Sequence, residues 1–337
     1  MGKGKSISIA VAGLVSELLG AMPLAFAEGR EDAHRVPAVH ATFVAIDFPA
    51  APSTAALDIN SAGEIVGRYA ASGNMEAHGF LRDGFGQFTT IDFPNAVFTV
   101  AAGINSHGDI VGQYRLHDED LLVRHGYLRT RDGTFITIDP TGSHFTNALG
   151  INRRGDIVGR FCTGPVPGTQ PACPPRTQHG FLRSGAALTT IDFHDAIATD
   201  AWGINHRGEI VGRYEDTNNK SHIYLFREGQ FKNIDFPGAL DTAPDGAKGG
   251  INSRGDIVSY YCVAATCGFD TSQHRLLLHG FLLRDHEFTT TMDFPGGHVT
   301  ANFGINARGD IVGIYDDEHG MTHGFLLKLE EHDQDED

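Results

Sequence analysis

The chain has 337 residues, a formal net charge of −16 at pH 7 and 42 glycines. Its glycine content exceeds the usual ~7%, and Phe, Ile, Val and Thr are favoured over helix-forming residues. This composition predicts many short strands joined by tight turns and excludes disorder for most of the chain. Because the chain is acidic and shows no concentrated basic patch, we expect no nucleic-acid partner.

The first 27 residues predict a secretory signal peptide. Two lysines precede a short apolar run, and Ala25-Phe26-Ala27 has the small-x-small pattern of a cleavage site. An uncleaved membrane anchor is the alternative, but Glu17 and Pro23 interrupt any span of about 20 apolar residues. We therefore expect a secreted or periplasmic protein that has no membrane span after cleavage.

One pattern then repeats six times along the chain. Each copy has a run such as Phe88-Thr-Thr-Ile-Asp-Phe-Pro94, followed by Gly-Ile-Asn, Gly-Asp/Glu-Ile-Val-Gly and His-Gly-Phe-Leu, with small variations. In the first copy Asp58 replaces the glycine of Gly-Ile-Asn. The asparagines of this motif are Asn60, Asn105, Asn152, Asn205, Asn252 and Asn306.

Each repeat predicts four short strands, the second and third joined at Asn-x-x-Gly. We label the Gly-Ile-Asn run strand A, Gly-Asp-Ile-Val-Gly strand B, His-Gly-Phe-Leu strand C and Phe-Thr-Thr-Ile-Asp-Phe strand D. Four strands in about 40–50 residues match the size of a propeller blade.

The two ends of the repeat region predict a closed ring. A lone strand D stands at 42–48, and strands A, B and C end the region at 300–328. We therefore predict an all-β, six-bladed β-propeller of four-stranded antiparallel blades, closed by the N-terminal strand pairing in the last blade. An open β-solenoid is the alternative, and it leaves that strand unpaired. The predicted segments are a signal peptide at 1–27, a linker at 28–41, the propeller at 42–328 and a disordered acidic tail at 329–337.

The repeat also resembles a known group of proteins. Gly-Ile-Asn-x-x-Gly-Asp-Ile-Val-Gly followed by His-Gly-Phe-Leu is similar to the bacterial extracellular repeat proteins named for a His-Ala-Phe (HAF) triplet. Here glycine takes the middle place, as in His179-Gly180-Phe181. The resemblance covers about residues 42–328 and implies export and a propeller-like fold, but it carries no catalytic residues over to this chain.

The four cysteines favour two local disulfides. Their spacing suits Cys162 with Cys173 and Cys262 with Cys267 in an oxidising compartment, although four cysteines allow three pairings. A zinc site is disfavoured because no Cys-x-x-Cys pair occurs.

Residues present in every repeat are expected to serve the fold, since each copy meets the same environment. The histidine that opens each strand C is predicted to pair with the aspartate of strand D or with a turn amide. A ring of metal-binding histidines is the alternative. Three Arg-Gly-Asp triplets, which begin at Arg154, Arg254 and Arg308, are assigned to the turn between strands A and B rather than to adhesion.

In an antiparallel meander the D–A and B–C connections share one face, which we call the long-loop face because the B–C loops are long and variable. Long loops on a rigid scaffold are where function collects. Residues that break the repeat on this face are therefore candidates for a site. The catalytic candidates are His194, Asp195, Asp200 and Asp241; the ligand-binding candidates are Trp202, His144, His298 and Lys248; the metal-binding candidates are Asp316, Asp317 and His319.

These residue types leave two functions open. His and Asp groups supply general acid–base chemistry, and Trp202 is predicted either to stack on a sugar ring or to fill a gap between blades. We favour a monomeric, non-catalytic protein that binds an extracellular small molecule, glycan or surface component through the long-loop face. The alternative is an extracellular hydrolase or lyase acting on a polysaccharide or lactone. No cofactor is predicted, with Ca²⁺ as the alternative for the acidic loops.

Overall fold

The computed structural model describes residues 5–8, 40–70, 76–164, 173–244, 248–263, 278–289, 292–297 and 299–330. All regular elements in these ranges are strands, beginning with β1 (Lys5–Ser8) and β2 (His40–Ile46). β1 lies in the predicted signal segment and pairs antiparallel with β2. In the described part of the chain, no helix has the length and apolar character needed to span a membrane.

The other described strands form six antiparallel sheets, which we number as blades in chain order. Blade 1 contains β3 (Ser53–Ile59), β4 (Ile65–Ala70), β5 (Ala77–Arg82) and β6 (Phe88–Ile91). Blade 2 contains β7 (Ala96–Ile104), β8 (Ile110–Leu116), β9 (His125–Arg129) and β10 (Phe135–Ile138). Blade 3 contains β11 (Ser143–Ile151), β12 (Ile157–Thr163), β13 (Gln178–Ser184) and β14 (Ala187–Ile191).

Blade 4 contains β15 (Ala198–Ile204), β16 (Ile210–Glu215), β17 (Ser221–Arg227) and β18 (Gln230–Asn233). In blade 5 the first strand has two pieces, β19 (Asp241–Thr242) and β20 (Gly250–Ile251), which precede β21 (Ile257–Cys262), β22 (His279–Arg284) and β23 (Glu287–Thr289). Blade 6 contains β24 (Val299–Ile305), β25 (Ile311–Asp316) and β26 (Thr322–Glu330). A single parallel bridge between Gln178 and Ala198 links blades 3 and 4.

The N-terminal strand β2 completes blade 6. It pairs antiparallel with β26 from His40 opposite Glu330 to Ile46 opposite Gly324. The predicted all-β fold, its antiparallel four-stranded sheets and its closure by the first strand of the repeat region are therefore confirmed.

The asparagine at the end of each strand A builds both a turn and a link to the next blade. In blade 3, Asn152 Oδ1 accepts hydrogen bonds from the amides of Arg154 and Asp156. Its Nδ2 donates to Asp156 Oδ2 at 2.9 Å and to the carbonyl of Asn205 in blade 4 at 3.2 Å. The Arg-Gly-Asp triplet lies in this turn, as predicted, with Arg154 Nε donating to Asp156 Oδ2 at 3.0 Å.

These asparagine links run round the whole molecule. Each asparagine donates to the carbonyl of the equivalent residue in the following blade, at 3.1–3.3 Å. The last donor, Asn306, returns to Asn60 of blade 1. The closed chain of hydrogen bonds, which we call the asparagine ring, fixes the A–B end of the propeller.

The hydrophobic core lies between neighbouring blades. Ile65 and Phe80 of blade 1, for example, form one buried cluster with Val312 and Leu326 of blade 6. Alternating Ile, Val and aromatic residues build such layers because each sheet has two apolar faces to cover. A blade therefore gains most of its stability from its neighbours.

The repeated histidines pair with the aspartates of strand D in every blade, as predicted. Nδ1 lies 2.6–2.9 Å from the carboxylate in the pairs His78–Asp92, His125–Asp139, His179–Asp192, His222–Asp235, His279–Asp293 and His323–Asp47. Each imidazole also packs on the aromatic ring at the end of strand B, such as Tyr214 on His222 with centroids 4.8 Å apart.

The predicted disulfide between Cys162 and Cys173 is present, with the two Cα atoms 5.6 Å apart. Cys262 is also disulfide-bonded. Its predicted partner Cys267 lies outside the described residues, as does the candidate His298.

Candidate ligand site at the channel mouth

Strand A of each blade lies innermost, so strand A lines the central channel. At the long-loop end the channel widens into a cavity of about 420 Å³. Strand A supplies apolar walls, among them Leu57, Phe98, Leu149 and Phe303. We call this space the channel-mouth cavity.

Polar groups reach the cavity mainly from strand B. The residue after the strand-B glycine lines it in four blades, and strand A of blade 3 adds Asn147. The four strand-B residues are Arg68, Gln113, Arg160 and Ile314. The wall is therefore cationic in blades 1 and 3, amide in blade 2 and apolar in blade 6.

Every charged side chain that lines the described part of the cavity is cationic. Arg68 is exposed to the channel and pairs with no carboxylate among the described residues, and desolvation by the surrounding walls lowers its pKa. Arg160 lies 3.5 Å from Asp200 Oδ2, but that carboxylate also faces Arg213 at 3.4 Å. An excess of positive charge therefore faces the channel in a protein whose net charge is −16.

Three lining residues also hold a polar atom that has no hydrogen-bond partner in the structure. These atoms are Gln113 Oε1, Asn147 Oδ1 and Arg160 Nε, all shielded from solvent. Buried polar atoms in native proteins are normally satisfied by protein or by bound molecules. The three residues line a space large enough for a ligand.

Lys248 forms the floor of the cavity. Its Nζ donates to the carbonyl of Ala102 at 2.6 Å and lies 3.3 Å from Asp58 Oδ2. Burial lowers the pKa of Lys248, and the Asp58 carboxylate opposes this effect. The pair joins blade 5 to blade 1 across the axis.

Asp58 stands where the other five repeats have glycine. Those glycines lie in close contact with the next blade, which leaves no room for a side chain. A Cβ on Gly103 would lie 2.7 Å from the carbonyl oxygen of Leu149, and one on Gly304 would lie 2.8 Å from the Cα of Asp58. At Asp58 the side chain itself makes the link, since Oδ2 accepts a hydrogen bond from the amide of Ile104 at 3.1 Å. The channel is therefore narrow below Lys248.

The four candidate catalytic residues occupy different environments. His194 is exposed and stacks on Phe193 at 4.7 Å, and Asp195 takes a left-handed turn conformation with φ of 61°. Asp200 is fully buried and accepts a 2.5 Å hydrogen bond from Gln178. Asp241 accepts from the amide of Ser221 at 3.0 Å, and burial raises its pKa. Apart from the sequence neighbours His194 and Asp195, no hydrogen bond or ion pair among the described residues joins these candidates to one another.

Of the three ligand-binding candidates that the structure describes, Lys248 alone lines the cavity. Trp202 is completely buried, so in this structure it fills the space between blades, the second of its two predicted roles. His144 is buried as well, with Nδ1 3.1 Å from the carbonyl oxygen of Gly164.

The candidate metal-binding residues form an ordinary loop. Asp316 accepts from the Thr322 hydroxyl, and Asp317 accepts from the amides of His319 and Met321, each at 2.8 Å. His319 is exposed beside Glu318 at 3.6 Å. Among the described residues, no group of three or more His, Cys, Asp or Glu side chains is placed to hold a metal ion.

Sequence reasoning missed Arg68, Arg160, Gln113 and Asn147 because it searched the loops for departures from the repeat. Three of these residues, Arg68, Gln113 and Arg160, lie at the same position inside strand B. Gly-Arg-Tyr, Gly-Gln-Tyr and Gly-Arg-Phe place a polar residue between two repeated ones, and this position is Arg in three repeats and Gln, Tyr or Ile in the others.

Comparisons with known proteins show the fold. No family model matches the chain, and no curated protein matches it in sequence. The fucose-specific lectin from Aleuria aurantia is similar in structure, with a TM-score of 0.52 and 13% identity over 83% of this chain and 95% of the lectin. A variant of that lectin in complex with Fucα1-6GlcNAc has a TM-score of 0.50 and 12% identity over 83% of this chain and 94% of the lectin. The β-propeller domain of the Trilobed protease from Pyrococcus furiosus has a TM-score of 0.46 and 10% identity over 85% of this chain and 100% of that domain. The antiparallel four-stranded sheets and the two lectin comparisons show that the chain is a β-propeller.

Proposed function

We propose that this protein is a secreted, non-catalytic β-propeller that binds an acidic glycan at the channel-mouth cavity. The observation that carries the proposal is the cationic lining of that cavity, in which Arg68 has no carboxylate partner among the described residues. Disulfides at Cys162 and Cys262 support export, because such bonds persist in oxidising compartments.

A uronic-acid residue matches the chemistry of the cavity. Guanidinium groups bind carboxylates through two parallel hydrogen bonds, which favours Arg68 as the carboxylate partner. The side-chain amides of Gln113 and Asn147 line the cavity and are of the type that hydrogen-bonds sugar hydroxyls. The partly exposed ring of Phe98 offers apolar surface to the CH face of a sugar. A propeller of similar fold, the Aleuria lectin, is by name a sugar-binding protein.

The negative charge of the whole protein does not oppose this binding strongly. At physiological salt the Debye length is about 8 Å, so distant surface carboxylates are largely screened at the cavity. The nearby arginines therefore dominate the local field. Affinity for an acidic glycan is expected to fall as salt is added.

Binding is favoured over glycoside hydrolysis or lyase chemistry by the same lining. Most glycoside hydrolases use a pair of carboxyl groups that flank the scissile bond. No carboxylate lines the described part of the channel-mouth cavity. The contacts of Asp200 and Asp241 with Gln178 and Ser221 hold those carboxylates in the framework.

Calorimetric titration with uronic-acid tetrasaccharides tests the proposal. The matched ligands are the same tetrasaccharides after carboxyl reduction. We expect Arg68→Gln to weaken binding of the acidic form at least about 10-fold, since a hydrogen bond to a charged group contributes roughly 1.5–3 kcal/mol. Arg227→Gln, in an exposed arginine of β17, is the control and should leave the affinity unchanged. Equal affinity for acidic and reduced ligands, or no effect of Arg68→Gln, contradicts the proposal.

A further inference from the structure

An aromatic stack closes the gap between blades at five of the six crossings from strand D to the next strand A. In each, the phenylalanine after the strand-D aspartate lies flat on the tyrosine at the end of strand B in the next blade, with ring centroids 3.6–3.7 Å apart. The five pairs are Phe48–Tyr69, Phe93–Tyr114, Phe193–Tyr214, Phe236–Tyr261 and Phe294–Tyr315.

The crossing into blade 3 departs from this pattern at three positions. Pro140 takes the place of the stacked phenylalanine, Phe161 the place of the tyrosine, and Leu188 the place of the strand-D phenylalanine that elsewhere packs edge-on. In blade 2, for comparison, Phe93 contacts Phe135 at 5.2 Å with the ring planes 70° apart. Blade 3 therefore lacks two rings and one hydroxyl that its neighbours have.

A cavity of about 660 Å³ occupies the space that these substitutions leave. It is lined by Pro140, Phe161 and Leu188 together with polar side chains from both sides of the crossing. The polar groups that blade 3 contributes are Thr163, His179, Arg183, Thr190 and Asp192. We call this space the blade-3 cavity.

Thr190 lacks the partner that Thr90 has in blade 1, and His179 lacks the close Nε2 partner that His125 has in blade 2. Tyr69 bonds the hydroxyl of Thr90 at 3.0 Å in blade 1, but Phe161 has no hydroxyl to offer Thr190. His125 Nε2 lies 2.8 Å from a glutamate oxygen in blade 2, whereas His179 Nε2 has only a long contact of 3.5 Å to Thr163 Oγ1. Both groups line the space where the ring is missing.

We infer that the blade-3 cavity is a second binding site, and that it takes one pyranose ring in the position of the missing phenylalanine. A pyranose has an apolar CH face for the exposed side chain of Leu188 and hydroxyl groups at its rim for Thr190 and His179. A cationic ligand is disfavoured because Asp192 is already paired with His179 and the lining Asp139 with His125, while Arg183 adds a positive charge to the lining. This site is separate from the cationic channel mouth.

An NMR-monitored titration tests the inference with the methyl pyranosides of glucose, galactose, mannose and fucose as probes. The double variant Pro140→Phe/Phe161→Tyr rebuilds the stack that five other crossings have, so it should fold with an unchanged or higher Tm. We expect it to weaken binding of the preferred pyranoside at least about 10-fold by filling the cavity. Arg68→Gln should leave this affinity unchanged, which separates the two sites.

Two more conservative variants test the inference if the double variant misfolds. Thr190→Val removes the unpaired hydroxyl with little change in shape, and should weaken binding about 5-fold, as expected for one hydrogen bond. Thr90→Val is the matched control in blade 1, where Tyr69 already uses the hydroxyl. The inference is wrong if the folded protein binds none of the four pyranosides, or if Thr190→Val and Thr90→Val have the same effect.

Discussion

The two ends of the central channel are built from the same repeats in opposite ways. At the A–B end, six asparagines make the same contacts in every blade and close into the asparagine ring. At the long-loop end, the strand-B position that lines the cavity is Arg in three repeats and Gln, Tyr or Ile in the others, and Arg68 and Arg160 make the cavity cationic. The invariant position therefore marks the scaffold, and the variable position within strand B marks the candidate site.

The first prediction concerns the floor between the two ends and has the largest expected effect. Lys248→Met leaves the Asp58 carboxylate largely buried without its cation, which typically costs about 3–5 kcal/mol. Adding Asp58→Gly restores the residue that the other repeats have, so the double variant should regain most of that stability. Urea unfolding of the two variants measures the difference.

Lys232→Met provides the control for this prediction, because Lys232 is exposed on β18 and its loss should cost less than about 0.5 kcal/mol. If Lys248→Met is no more damaging than Lys232→Met, then the ion pair does not hold the two sides of the channel together.

The second prediction concerns the asparagine ring at the A–B end. Asn152→Ala removes the acceptor for two backbone amides and the donor to blade 4, and should lower the free energy of unfolding by about 2–3 kcal/mol. Ligand affinity at the channel mouth should stay within about twofold, because the ring lies at the opposite end. Chemical denaturation and calorimetric titration of the same variant supply both numbers. Asn218→Ala, in an exposed turn, should leave stability nearly unchanged, and a similar loss there would remove the special role of the ring.

The third prediction uses pH and has the smallest effect. Hydrogen bonds to Asp139 and, secondarily, Glu119 raise the pKa of His125 to about 9 against the opposing effect of burial. Its charged form therefore stabilises the fold fully below about pH 6.5, and this contribution is lost as the pH rises through about 9. After allowance for solvent screening, the stability gap between the wild type and His125→Gln should shrink by about 1 kcal/mol between pH 6 and 10. Urea unfolding across that range checks the sign, and a gap that widens with pH contradicts it.

The repeat alone was enough to predict the propeller, its closure by residues 42–48 and the histidine–aspartate pairs. These features depend on local patterns that recur six times, so each copy supports the others. The same reasoning correctly placed the disulfide between Cys162 and Cys173. Local chemistry and sequence proximity settle such features.

The sites could not be found in this way because they depend on which groups face one another across blades. Lys248 and Asp58 are far apart in the sequence and meet only because strand A lines the channel. Trp202 was a candidate for sugar stacking because of its type, yet its position on strand A buries it completely. The missing ring at Pro140 becomes a cavity only beside Phe161 and Leu188, which come from other strands.

Closure by β2 has a consequence for how the protein is made. Asp47 and its partner His323 are 276 positions apart, so the first strand of the propeller emerges from the ribosome long before the strand that it joins. Until synthesis ends, β2 and the exposed edge of the growing sheets have unpaired backbone groups, the kind of intermediate that aggregates readily. A chain truncated before blade 6 would keep this edge unpaired. We therefore expect a chaperone that binds exposed strand edges to reduce its aggregation during synthesis.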